Sequence, residues 1–266
     1  MNQFPITQDL ILKNKNGWLE IRLNNAVNRN ALKESLVEEL LIVFEVAKDN
    51  TDIRGIVLRG DGGVFCAGAD LKKMKKITES GKEAKNQAYD LSMTIGKLLK
   101  VINQAPQIVV SVTEGFALAG GFGIACASDF VISLENTKFG LTETKIGLTP
   151  SQISKYVINK LGYSKARKMM LLGTLIDGLE ASKIGLVDFV AKNNEALEKK
   201  IKDFKSEVND CSPTAVATTK KVLSFNQNID SQRAADLFSD SIISNDGKEG
   251  FESFFNKRKP SWTIKK

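Results

Sequence analysis

Apolar residues recur along this chain at strand spacing and then helix spacing through its first half, and at helix spacing almost alone beyond Pro150. In GWLEIRLNN at 17–25, Leu19, Ile21 and Leu23 alternate with polar neighbours, as a strand with one buried face requires. A helix is predicted at once: Asn30 is its expected N-cap, and Leu32, Leu36, Leu40, Val43 and Ala47 share one amphipathic face. GIVLRG at 55–60 reads as the next strand. Ala84, Ala88, Leu91, Ile95, Leu98 and Ile102 then recur at four- and three-residue steps and predict a helix over 81–102. IVVSVTE at 108–114 and FVISLEN at 130–136 read as further strands. The order is a repeated strand–strand–helix unit with short connections, which argues an α/β architecture.

Past Pro150, SQISKYVINKLG, SKARKMMLLG, GLEASKIG, NEALEKKIKDFKSEV, PTAVATTKKVLS and SQRAADLFSDSIIS all carry helical patterns; only IGLVDFV at 184–190 suggests a strand. The division expected is an α/β core over 1–195 and a C-terminal helical module over 196–266. No low-complexity linker separates them, so close packing is expected.

Two stretches stand out chemically. FCAGADLKKM at 65–74 and GFALAGGFGIACA at 115–127 each turn on small residues into a helix and can present a bare backbone N–H there. Two such donors aimed at one point meet the physical requirement for holding an oxyanion, since N–H groups and helix dipoles both favour negative charge. Neither stretch is GxGxxG or a phosphate loop ending in Gly-Lys-Ser/Thr, and the chain contains no GxSxG elbow. Glu143, in KFGLTETKIG, is the candidate acid or base.

Composition narrows the chemistry. With no histidine among 266 residues, Ser-His-Asp, Cys-His and His-ligated zinc sites are excluded. Cys66, Cys126 and Cys211 lack metal-like spacing, and the surroundings of Cys66 and Cys126 suit buried free thiols in a reducing compartment. No metal site is expected. The N-terminus carries no apolar signal region and no run approaches the ~20 apolar residues of a membrane span, so a cytoplasmic protein is expected, or an organellar one after removal of a transit peptide. The net charge of +7 is compatible with an anionic partner, and Lys257, Arg258 and Lys259 cluster near the C-terminus with Lys265 and Lys266 beyond. Basic and aromatic residues do not interleave as in an RNA-binding surface.

Taken together, VFCAGADLKKM, EGFALAGGFGIACASDF, KFGLTETKIGLTPSQI and KEGFESFFNKRKPSW resemble the enoyl-CoA hydratase/isomerase, or crotonase, family, from LNNAVNRNAL at 23–32 to FNKRKPSW. The resemblance implies a spiral of repeated ββα units with a C-terminal helical trimerisation module, assembled as a homotrimer or homohexamer. It implies an acyl-CoA thioester as substrate and no cofactor beyond the coenzyme A that the substrate carries. Ala69 and Gly120 match the two positions whose N–H groups bind the thioester oxygen, and Glu143 matches the family's second catalytic glutamate. Partial burial is expected to raise the Glu143 pKa and suit it to proton transfer near neutrality. For coenzyme A the matching positions are Val27, Arg29, Ala67, Asp70, Leu71 and Lys72, with Phe254 and Lys257 reaching the pocket, in some relatives from a neighbouring subunit.

One departure is informative. The first glutamate of two-glutamate hydratases aligns with Gly123, which has no side chain. A glycine there, followed by Pro150-Ser151-Gln152-Ile153, is similar to hydratases of the methylglutaconyl- and isohexenylglutaconyl-CoA type. The implied activity is hydration, or the reverse dehydration, of a bulky, branched or acidic enoyl-CoA, with Gly123 making room and Glu143 moving the proton. A Δ3,Δ2-enoyl-CoA isomerase, which needs one carboxylate beside the oxyanion donors, is the alternative, followed by an RNA-binding or catalytically silent member. Glu114 is the best replacement acid in sequence, and Asp129 is expected to tie a turn.

Overall fold

A computed structural model of the chain describes residues 4–225 and 228–263; Lys265 and Lys266 lie outside the described residues. Two sheets organise the first 191 residues. In the larger, β1 (Leu10–Lys15) pairs antiparallel with β2 (Trp18–Leu23), and β3 (Gly55–Gly60), β4 (Ile108–Thr113), β6 (Phe130–Leu134) and β9 (Phe189–Ala191) continue in parallel, in the order β1-β2-β3-β4-β6-β9. The smaller joins β5 (Phe116–Leu118), β7 (Lys138–Gly140) and β8 (Leu175–Ile176). Each turn of the chain gives one strand to the large sheet and then a short extended piece to the layer beside it. Leu32 bridges Ala69, Cys66 bridges Ala117, and β5 runs parallel to β7, so successive turns stack as a spiral.

Both faces of the large sheet are covered, which explains why its central strands are buried along their length. On one face, Leu19, Ile21, Ile56, Leu58 and Val109 pack with α1 (Glu34–Lys48), α3 (Ala84–Gln104), α4 (Gly120–Ala127) and α5 (Ser154–Leu161). On the other, Trp18, Val57, Val110, Val112 and Ile132 meet Leu197, Ile201, Phe204 and Val208 of α8 (Asn194–Asn209). The expected boundary at 195/196 therefore falls inside α8, a helix that belongs to the sheet. The helices standing outside it are α9 (Pro213–Ser224), α10 (Ser231–Ile243) and α11 (Asn245–Phe255), and Lys220 of α9 reaches back to Asp129 at 2.5 Å.

Two local expectations need correction. Asn30 caps no helix: α1 begins at Glu34 behind Lys33, and Leu32 lies in the bridge before it. Asn30 is buried with φ +54°, its Nδ2 donates to Asp61 O and Val64 O, and its Oδ1 accepts from Asn25 N–H at 2.9 Å. Asn tolerates this left-handed backbone and can satisfy neighbouring main-chain groups, so it staples two loops instead. The 184–190 strand contracts to β9, because Gly185 at φ +88° first ends α7 (Gly178–Lys183).

Candidate active site

Three chain segments lie side by side. Phe65 N–H donates to Glu114 O at 2.8 Å, Cys66 N–H to Phe116 O at 2.9 Å, and Leu118 N–H to Cys66 O at 3.0 Å, which sets 65–69 alongside 114–120. Lys138 N–H donates to Gly115 O at 2.8 Å and Ala119 N–H to Gly140 O at 2.9 Å, which adds 138–143 on the far side. Ala69, Gly120 and Glu143 are the last residues of these three segments.

Gly68 allows the first contact to be so close. It sits at φ +93°, and a Cβ on it would lie 2.8 Å from Ala119 Cβ, 2.9 Å from Leu118 O and 3.3 Å from Gly120 N. Ala119 holds a strained conformation, φ +48° and ψ −114°, immediately before α4. Among the described residues, neither Ala69 N–H nor Gly120 N–H has an acceptor within the chain. Beyond Ala69, Asp70 caps α2 (Leu71–Thr78) by accepting from Lys72 N–H and Lys73 N–H. α4 is buried along seven of its eight residues, so its N-terminal N–H groups act in apolar surroundings, where they are worth more than in water.

Glu143 opens a short 3-10 turn that Gly147 ends at φ +77°. Its Oε2 is buried without any hydrogen-bond partner, a rare state for a polar atom in a folded chain. Burial raises the carboxyl pKa above its ordinary value, against the lowering effect of its own backbone N–H. Desolvation without a counter-charge is what a proton-transfer group operating near neutrality needs.

Gly123 does not open space. A Cβ there would lie 2.5 Å from Ile153 Cγ2 and 3.6 Å from Leu99 Cδ1, so Ile153 already fills the volume. Glu114 is not a replacement acid either. It has the parity of Val110 and Val112, hence the α8 face, where its Oε2 accepts from Arg59 Nε at 2.6 Å while Arg59 Nη1 also reaches Glu198. Asp129, expected only to tie a turn, accepts from Val109 N–H at 2.7 Å and from Lys220, and so ties β4 to α9. Cys66 and Cys126 are buried free thiols, and burial pushes Cys66 up to about 12, which leaves it inert.

The residues matched to coenzyme A divide into two groups. Arg29 O accepts from Ala67 N–H at 3.0 Å, so Val27, Arg29, Ala67, Asp70, Leu71 and Lys72 share one rim beside Gly68 and Ala69. Val27 is 96% and Leu71 62% exposed, apolar side chains with nothing to cover them. Phe254 and Lys257 stand instead with α11, among Phe251, Phe255 and Trp262, and Phe254 is 77% exposed. Ile153 was paired with Gly123 in sequence only as part of a motif; that its side chain fills the space a Cβ at 123 would need was missed, because nothing local shows which side chains meet across thirty positions.

The comparisons with known proteins bear on the family and on the fold of stacked ββα turns. The enoyl-CoA hydratase/isomerase family matches residues 13–265, and the chain belongs to that family. Pseudomonas aeruginosa AtuE superposes with a TM-score of 0.91 at 36% identity, covering 96% of this chain and 100% of that one. An enoyl-CoA hydratase/isomerase from Marinobacter aquaeolei gives the same score and identity over 96% and 99%. The mitochondrial methylglutaconyl-CoA hydratase of Mus musculus is 28% identical over 260 residues, 92% of this chain and 79% of the relative. The fold is thus the crotonase spiral with helices at its C-terminal end, and the chain is an acyl-CoA-metabolising enzyme by family.

Proposed function

We propose that the chain hydrates an α,β-unsaturated acyl-CoA thioester, or catalyses the reverse dehydration, with Glu143 as its sole acid–base group. The buried, partnerless Oε2 of Glu143 carries this reading. The thioester oxygen accepts from Ala69 and Gly120 N–H. As the Glu143 carboxylate takes a proton from water, the hydroxyl bonds to Cβ and the π electrons move onto the thioester oxygen. Glu143 then returns the proton to Cα, and the net change is addition of one water. Charge develops on an oxygen already facing two donors, and one such donor is worth ~10²–10³ in rate.

Val27, Arg29, Ala67, Asp70, Leu71 and Lys72 hold the coenzyme A portion, Arg29 and Lys72 through its phosphates and Leu71 against the adenine. Phe254 and Lys257 join them from a neighbouring chain in a homotrimer or homohexamer. The exposed Phe238, Ile243, Phe251, Phe254 and Phe255 supply apolar surface for that assembly. The substrate brings the coenzyme, so no other cofactor is required, and a reducing cytoplasm or organellar matrix keeps the three cysteines free.

A second reading is favoured by the apolar surroundings of Gly123. One carboxylate beside two N–H donors suffices to take a proton from Cα of a 3-enoyl thioester and return it at Cγ, as an isomerase does. Incubation with crotonyl-CoA, 3-methylglutaconyl-CoA and a 3-enoyl-CoA separates the two. A mass gain of one water establishes hydration and the acyl preference, whereas a change of conjugated-thioester absorbance at constant mass establishes isomerisation. No turnover of any of the three would overturn both.

A further inference from the structure

Gly120 opens α4 and Gly123 follows three residues on, about 4.5 Å further along the helix axis. Gly123 is buried, and a Cβ built on it would stand 2.5 Å from Ile153 Cγ2 and 3.2 Å from Ile153 Cβ. Carbon atoms in contact prefer about 3.5–4.0 Å. Ile153, only 4% exposed, therefore occupies the volume that any side chain at 123 would need. On α3, by contrast, a Cβ on Gly96 would lie 2.5 Å from Oε1, the movable tip of the half-buried Gln152 side chain. Glycine weakens a helix interior, yet α4 places one opposite the buried Ile153. Ile153 is a wedge for which α4 is cut back.

We infer that Ile153 is a specificity-determining residue: it closes the α4 side of the site to a second acid and to the water such an acid would hold. This rests on the proposed role of Glu143. The other carboxylates near these turns are committed elsewhere, Asp70 to the cap of α2, Glu114 to Arg59 and Asp129 to Lys220. A trapped water needs two to four polar partners, and the side chains meeting Gly123 are the hydrocarbons of Ile153 and Leu99. Proton traffic is confined to the Glu143 side, and straight-chain enoyl thioesters, which a two-carboxylate site hydrates readily, are poor substrates.

The test has a steric arm and a chemical arm. In the first, melting temperatures of Gly123→Ala, Ile153→Ala and the double variant form a cycle. Gly123→Ala is expected to lower the melting temperature in the parent and to cost little beside Ile153→Ala; an equal drop in both backgrounds overturns the inference. In the second, Gly123→Glu/Ile153→Ala is expected to hydrate crotonyl-CoA at least tenfold faster than Ile153→Ala, while Gly123→Gln/Ile153→Ala shows no gain. A folded glutamate variant without that gain, or an equal gain with glutamine, overturns it. Adding Glu143→Gln to the parent keeps the two claims apart: if that variant retains turnover, the proposed function fails, whereas its inactivity beside an unimproved glutamate variant sinks only the role of Ile153.

Discussion

Glu143 shows how a single side chain can cost stability and supply chemistry. Its pKa is held above the ordinary 4.5 by burial, so between that value and the raised one the native chain binds more protons than the unfolded chain. Stability accordingly falls as pH rises through this window and stays lower above it. Glu143→Gln removes the buried charge, and the variant is expected to melt at a higher temperature than the parent at pH 8 while losing ~10²–10⁴ in turnover. Calorimetry beside the thioester assay checks both; a lower melting temperature would mean that the carboxylate is balanced by a partner. In the parent, activity is expected to rise with pH along a limb lying above 4.5, because only the carboxylate form can accept a proton. Glu143 was legible in its motif, and so was the burial that raises its pKa. That its Oε2 is left without a partner was not, since this depends on what folds over it.

At the scale of elements, the site is a product of how consecutive turns of the spiral stack. Leu32 beside Ala69, Cys66 beside Ala117 and β5 beside β7 bring residues far apart in sequence into one row. Gly68 is a close point of that stacking, and a side chain there meets both a left-handed backbone and Ala119. Gly68→Ala is expected to destabilise the protein by about 1–3 kcal/mol and to lower turnover by separating Ala69 from Gly120. Denaturant unfolding and steady-state rates on the same preparation would show it; unchanged rates would mean that the two N–H groups do not act together. β2, β3, β4 and β6 were readable because each spans five or six residues, enough for apolar periodicity to register. β5, β7 and β8 were not, being two or three residues long. β1 escaped because LILKNK is an edge strand exposed over most of its length, where alternation is blurred.

For the whole molecule, a partly buried ion pair connects the helical end to the core. Lys220, whose pKa is lowered by burial and partly restored by Asp129, also donates to Gln107 O at 2.7 Å. Lys220→Met leaves Asp129 with the Val109 N–H alone and is expected to cost about 1–3 kcal/mol of stability with KM unchanged. A changed KM would tie α9 to substrate binding. Assembly is checked by light scattering: three or six chains per particle are expected, and Phe254→Asp is expected to yield smaller particles with weakened CoA-thioester binding. No helix among the described residues is long and apolar enough to cross a membrane.

The chain read by itself carried the alternation of strands and helices, the two small-residue turns and the candidate carboxylate, because periodicity, turn chemistry and motif are local properties. Tertiary structure decided the rest: that α8 belongs to the sheet, that Glu114 is spent on Arg59 across the opposite face, and that Ile153 fills the space above Gly123. Each of these is a meeting of residues distant in sequence, settled by which face of a strand or helix is covered and by what.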